Sequence, residues 1–181
     1  MDISYHKAWS AQLGRDMEYK RYGFAGRPFV VFPTSQGRFF QFEDSGGVRS
    51  LAEFVDTGRI QIFTVDGIDP ESFFNKGTDH AGRIARHEAY FRYIRNEALP
   101  EINHAAQQAN GGRSIMPIFG GCSMGAFHSS NFVFRFPEQA SGLIALSGVY
   151  SAKGFFGADR SGDIYFNSML DYLPGLEARS I

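Results

Sequence analysis

The segment Ile115–Phe127, IMPIFGGCSMGAF, holds the residues best placed to do chemistry. At its centre Gly121-Cys122-Ser123-Met124-Gly125 sets one serine between two glycines in a G-x-S-x-G pattern. An apolar run (Ile115, Met116, Ile118, Phe119) leads into it, and the helix-like AFHSSNFVFRF follows at once. Strand, tight turn and helix together lift a serine hydroxyl above the edge of a sheet. The same layout leaves free N–H groups of a helix N-terminus beside it. A turn that sharp imposes strained backbone angles, and glycines on either side keep it free of clashing Cβ atoms. The chemistry implied is nucleophilic attack by Ser123 on a carbonyl, with backbone N–H groups holding the developing oxyanion.

A serine nucleophile needs a base to take its proton. His128 lies five residues beyond Ser123 on the following helix, rotated away from it around the axis, and reads as a packed or half-exposed helix histidine sooner than as a base. His80 and His87 follow the fourth apolar segment and read as solvated loop and helix positions. His6 and His104 read as structural or surface residues. Among acids, Asp159, Asp163 and Asp171 lie beyond the last apolar segment, where surface turns are the plainer account. Asp66 and Asp69 suit the turn after IQIFTV. The doublets Phe39/Phe40, Phe73/Phe74 and Phe155/Phe156 each fall shortly after an apolar segment. Phe39, Phe40 and Phe155 are candidates for an apolar substrate pocket, the alternative being that they pin loops to the core. Cys122 is expected to point away from the nucleophile into packing.

The elements that must position these residues are legible as alternating patterns. Ile3–Leu13 and Asp16–Tyr22 read as a hairpin. Pro28–Pro33 (PFVVFP) is a continuous apolar run suited to a central strand, and Ile60–Val65 (IQIFTV) is another buried-strand candidate. Between them, residues from about Gln41 to Thr57 contain a helical face of Val48, Leu51, Phe54 and Val55, entered through the turn Asp44-Ser45-Gly46-Gly47. Ala81–Leu99 reads as a long helix that Pro100 should end or kink, with a further turn or two beyond. Gly142–Gly148 (GLIALSG) is the next strand. A hairpin followed by strand–helix alternation predicts an α/β sheet with parallel central strands. After Gly148 the pattern fades into turn signals and scattered aromatics, and LEARSI at the end reads like a helix just beginning.

With 181 residues, an apolar fraction of 43% and a charged fraction of 20%, one soluble globular domain is expected. The net charge is −1, with no basic stripe, so nucleic acid and anionic membrane are not expected partners. Neither a signal peptide nor a membrane-spanning run is legible, and the one cysteine suits a reducing cytoplasm. There is no G-x-G-x-x-G, no G-x-x-x-x-G-K-[ST], no HExxH and no cysteine pair. No cofactor and no metal are therefore expected.

Taken together, the hairpin, PFVVFPTSQG, IQIFTVDGID, the G-x-S-x-G turn and GLIALSGVYS resemble the α/β-hydrolase superfamily. The resemblance is to its compact esterase branch of S-formylglutathione hydrolases, esterase D-like enzymes and mycolyltransferases. It implies a three-layer α/β sandwich with a mostly parallel eight-stranded sheet and helices on both faces. It also implies a Ser123 acyl-enzyme formed from a small-molecule ester. By position it places the oxyanion donors at the Met124 N–H and on the loop Pro33–Gly37, with Gln36 first and Ser35 next. Ser35 joins the candidate pocket residues on the same ground. In that family an acid follows the seventh strand and a histidine the eighth, and neither has a match here. The chain is accordingly expected to be one α/β-hydrolase domain over residues 1–181 that lacks its last strands. Two expectations follow: a serine esterase, or an inactive binding or assembly module of the same fold. In either case a bare sheet edge is expected to invite a second copy.

Overall fold

The computed structural model describes residues 1–176. Strands β1 (Ile3–Ser10) and β2 (Arg15–Tyr22) form the expected hairpin, in register from Ile3↔Tyr22 to Ser10↔Arg15. Gly14 closes the turn at φ 62° and donates its N–H to the Ser10 carbonyl at 2.8 Å. Most of β1 is exposed, as suits an edge strand, whereas β2 buries Met17, Tyr19 and Tyr22. Strands β3 (Arg27–Phe32) and β4 (Ile60–Val65) are buried on both faces and pair in parallel, as expected of central strands. Strands β5 (Ile118–Cys122) and β6 (Gly142–Leu146) complete a six-stranded mixed sheet in the order β1-β2-β4-β3-β5-β6. From β4 to β6 every pairing is parallel.

Helices cover both faces. On one lie three short turns, α1 (Gln41–Asp44), α2 (Gly47–Ser50) and α3 (Ala52–Asp56), where the sequence predicts a turn at Asp44–Gly47 leading into one helical face. Gly46 sits in the left-handed region at φ 81°, which breaks the run. Val48, Leu51 and Val55 still face Tyr22, Phe29, Val31 and Ile62 of the sheet. On the other face α4 (His80–Tyr93) opens with an Asp79 cap that accepts the Gly82 N–H at 2.8 Å. A π-helical turn over Ile94–Ala98 then leads straight into α5 (Leu99–Ala109). Pro100 therefore neither ends nor merely kinks the helix, because the wider turn before it absorbs the i−4 conflict a proline creates. With α6 (Met124–Arg135), these helices bury Tyr90, Phe91, Ile94, Ile102 and Phe132 against Val30, Phe32, Phe63, Val65 and Phe119.

Beyond β6 the chain forms short turns, α7 (Lys153–Phe156), α8 (Met169–Tyr172) and intervening 3-10 segments. A buried polar relay ties them down. Tyr172 donates to Asn131 Oδ1 at 2.9 Å, Asn131 to Asn167 Oδ1 at 2.7 Å, and Asn167 to Glu88 Oε1 at 2.6 Å. Arg135 grips both oxygens of Glu88 at 2.6 and 2.8 Å. Apart from Leu176, the LEARSI helix reading falls on 177–181, outside the described residues.

His87 departs from the solvated position its sequence context predicts. It is fully buried on α4 between Phe73 and Phe91, with ring centroids 4.7 and 4.4 Å away. Burial pushes its imidazole well below the usual range, and the nearby His128 and Arg135 push the same way. The folded protein thus keeps His87 neutral, whereas the unfolded chain protonates it below about pH 6.5. Stability linked to the neutral ring is complete above about pH 6.5 and is lost as pH falls, by about 1.4 kcal/mol per unit. Between about pH 7.5 and about pH 5.5, urea unfolding should show the wild type losing about 1.4 kcal/mol more than His87→Phe. Equal losses in both proteins would remove His87 as a source of acid lability.

Candidate active site

Ser123 occupies the N-cap of α6 at φ 57° and ψ −117°, a region that non-glycine residues rarely enter. Its backbone is locked from both sides. The Ser123 N–H donates to Leu146 O of β6 at 3.0 Å, and its carbonyl accepts the Phe127 N–H at 3.1 Å. The flanking glycines are there for space. A Cβ on Gly121 would lie 2.5 Å from the Gly125 carbonyl carbon, and one on Gly125 would lie 2.7 Å from Pro33 O. Strand β5, the first turn of α6 and the end of β3 therefore meet backbone to backbone. The Met124 N–H, first in the helix, makes no hydrogen bond among the described residues and is free to donate.

The loop after β3 is held by two carboxylates at the end of β4. Asp69 accepts the Gln36 N–H on Oδ2 at 3.0 Å, and its Oδ1 takes His128 Nε2 at 2.8 Å. Asp66 accepts Arg38 Nε at 2.6 Å and the Phe39 N–H at 3.2 Å, and burial raises its carboxyl pKa despite Arg38. Gln36 adopts φ 56°, another left-handed non-glycine residue. Thr34 donates to Gln41 Oε1 at 3.3 Å and Gly37 to Thr34 O at 2.9 Å. With the Gln36 N–H committed to Asp69, Ser35 has the one N–H of the stretch Pro33–Gly37 that meets no acceptor among the described residues.

No family model matches this sequence, and no curated protein matches it. Solved structures do. A ferulic acid esterase superposes over 98% of this chain and 72% of its own, with TM-score 0.69 and 16% identity. An S-formylglutathione hydrolase from Agrobacterium tumefaciens does so over 97% and 72%, with TM-score 0.68 and 16% identity. A fluorophosphonate-binding serine hydrolase of Staphylococcus aureus covers 96% and 74%, with TM-score 0.63 and 12% identity. The fold is that of the α/β-hydrolases.

Within this α/β-hydrolase fold none of the five histidines hydrogen-bonds Ser123. His6 stacks on Tyr19 at 4.5 Å, and His104 meets Gln108 on α5. His128 is buried and turned toward Asp69, as its offset around the helix predicts. His80 presents Nδ1 to Asp159 Oδ2 at 3.0 Å, so two residues weighed separately as base and acid meet. The hydroxyl and N–H of Ser161, together with His80, hold the Asp159 carboxyl down to about 2. The pair faces an open cleft of about 720 Å³ whose lining includes Lys76, Thr78 and Ser161 but not Ser123. Asp171 instead pairs with Arg160 at 2.6 Å.

The candidate pocket aromatics divide into two groups. Phe39 and Phe40 pack edge to face at 5.2 Å, with Phe39 against Tyr5 at 5.7 Å. Phe155 packs instead on Phe73 and Phe74 at 5.0 and 5.4 Å, in the cluster that also holds Met124 and Phe127. Cys122 does point away from the α6 face, but it is exposed where packing is expected. It lines an apolar groove of about 280 Å³ with Phe29, Val31, Phe42, Leu51, Ile144 and Leu146. The helical turns α1–α3 cover this face over β3 and β4 but leave β5 and β6 open, with Ile144 and Leu146 46% and 58% exposed. The sequence did not signal the Asp69 bridge, since its partners lie 33 and 59 residues away along the chain.

Proposed function

We propose that this chain is a serine hydrolase that cleaves carboxylic esters through an acyl-enzyme on Ser123. The observation that carries the reading is the strained Ser123 backbone at φ 57°, wedged between Gly121 and Gly125 at the start of α6. Strain of that kind persists only where surrounding structure enforces it, and here it fixes a serine at the N-terminus of α6 with its hydroxyl free of any capping bond. Ser123 Oγ attacks the ester carbonyl, and the tetrahedral oxygen is met by the Met124 N–H and one from the loop after β3. Ser35 is the donor on that loop whose N–H is free, while Gln36 reaches an oxyanion only by leaving Asp69. Collapse breaks the ester C–O bond and the serine proton ends on the departing alkoxide, so a neutral alcohol leaves; water, or an acceptor alcohol in a transferase, then takes the acyl group and returns a proton to Ser123 Oγ. The esterase and serine hydrolase activities named for the structural neighbours support this choice of reaction. Turnover of p-nitrophenyl butyrate that Ser123→Ala removes is the deciding result. Equal rates from both proteins would reject the reading.

A second reading, an assembly module built on the same fold, has its own observations. Ser123 Oγ has no histidine partner, and β6 ends the sheet with its outer edge bare among the described residues. The β6 sequence GLIAL contains no charge or proline, whereas β1 at the opposite edge carries His6 and Lys7. Edges without such guards pair readily, and a second copy would bring an identical strand. On this reading, sedimentation between about 1 and 100 µM shows a dimer that grows with concentration. Ile144→Lys abolishes the dimer and leaves the circular dichroism unchanged. A monomer throughout that range rejects the assembly.

A further inference from the structure

We infer that Asp69 is a positioning residue for the hydrolytic site, a buried clamp that sets the shape of the loop after β3 by gripping Gln36. The inference rests on the serine hydrolase reading and goes beyond it, because Asp69 would touch no substrate. One oxygen of Asp69 takes the Gln36 N–H at 3.0 Å and the other takes His128 Nε2 at 2.8 Å. A carboxylate only accepts, so His128 donates from Nε2 and its tautomer is fixed. The Asp69 and His128 side chains are 6% and 4% exposed, so the bond between them is shielded from bulk water, while the bond to Gln36 is part-buried.

Each end of the clamp sits on an element of the site. His128 belongs to α6, the helix that Ser123 begins, and Gln36 belongs to the loop that follows Pro33. Pro33 O and Phe32 O already press on Gly125, so the root of that loop touches the first turn of α6. Asp69 ties the far side of the loop to the same helix one turn further on. Between the two contacts Gln36 is held at φ 56°, a conformation that glutamine leaves readily when nothing holds it. With that bond made, the adjacent Ser35 N–H is left as a donor with a fixed direction. Asp66 adds a second strut through Arg38 and the Phe39 N–H, which fixes the downstream end of the loop. The arrangement separates two tasks. Gln36 anchors the loop and Ser35 presents its N–H, so the residue most deeply held is not the one that meets the substrate.

The test uses Asp69→Ala, Asp69→Asn and His128→Phe in the full chain with two readouts. Amide exchange by NMR reports the Gln36 N–H itself. The rate of phosphonylation by a fluorophosphonate, together with kcat and KM for p-nitrophenyl butyrate per folded molecule, reports the chemistry. Asp69→Ala should accelerate Gln36 exchange by about 100-fold, and it should lower kcat and the phosphonylation rate by about 10- to 100-fold with KM nearly unchanged. Asp69→Asn, which keeps an acceptor for Gln36 and can donate to the other tautomer of His128, should recover most of both. Should Asp69→Ala fail to fold, His128→Phe cuts the other half of the clamp and should move both readouts the same way, by less. Unchanged Gln36 exchange, or freed Gln36 with wild-type kcat, overturns the clamp while leaving the hydrolase reading intact. A wild type inert to both reagents overturns the hydrolase reading, and the positioning role with it, whatever Gln36 does.

Discussion

On the serine hydrolase reading, Ser123→Ala should remove ester turnover and fluorophosphonate labelling together while leaving the fold as stable as before. Loss of the nucleophile lowers turnover by a factor on the order of 10⁴ or more where a serine carries the acyl group. The stability side follows from the surroundings of the side chain. Ser123 Oγ makes no hydrogen bond among the described residues, so its removal orphans no partner. Alanine has the same Cβ and meets the same strain at φ 57°. Ser123→Gly sharpens the argument, since it relieves that strain and should raise stability by about 1 kcal/mol while being just as inactive. A thermal melt and a labelling gel on the three proteins read both effects. If Ser123→Gly melts below the wild type, the strained turn is not being forced by its surroundings. If Ser123→Ala still labels, the reacting residue lies elsewhere.

Much of this architecture is written locally, and the parts that are not have a common cause. IQIFTV announces β4 to the residue because both faces of a central strand are apolar, and GGCSMG announces the turn because only glycine fits beside it. The hairpin is equally plain from its alternation. After the turn at Asp44–Gly47, helical periodicity puts Val48, Leu51 and Val55 on the sheet but misleads at Phe54, because it scores side-chain spacing alone and Phe54 ends 42% exposed. Pro100 misleads for the opposite reason: the π turn before it is a backbone adjustment with no side-chain signature. Within the site, the serine is legible and its supports are not. Asp69 sits in a VDGID turn that reads as ordinary turn chemistry, yet its partners come from β3's loop and from α6. His87 looks like one more polar residue on an amphipathic helix until the 147–176 segment closes over it. Cys122 looks buried from its strand and is exposed because the described residues leave that end of the face open. Local pattern names the elements and the candidate serine, but hydrogen bonds between distant segments choose what surrounds it.

The largest structural effect expected belongs to Gly125, whose substitution tests whether the site and the fold share a joint. A Cβ there meets Pro33 O at 2.7 Å and the Phe32 carbonyl carbon at 3.0 Å, with Phe32 O closer still. These are backbone atoms of the loop root and of a fully buried strand, so no side chain can swing away to make room. Gly121 is no better placed, since its own Cβ would meet Gly125. Overpacking a core by a methyl group costs about 1–3 kcal/mol when side chains can adjust, and a rigid backbone contact lies at or beyond the top of that range. Gly125→Ala should therefore destabilise by about 3 kcal/mol or more, or about 10 °C in Tm for a domain of this size. Gly154→Ala is the matched control, because no atom lies within 4 Å of its added Cβ and its φ is ordinary. The two variants differ from wild type by the same methyl group, so their difference reports contact and not propensity. The chemistry should follow the packing. Pushing α6 away from Pro33 separates the Met124 N–H from the loop that carries Ser35, so Gly125→Ala should lose turnover even where it remains folded. A Gly125→Ala protein that melts within about 0.5 kcal/mol of Gly154→Ala would mean that the helix and the loop after β3 are not joined at this point.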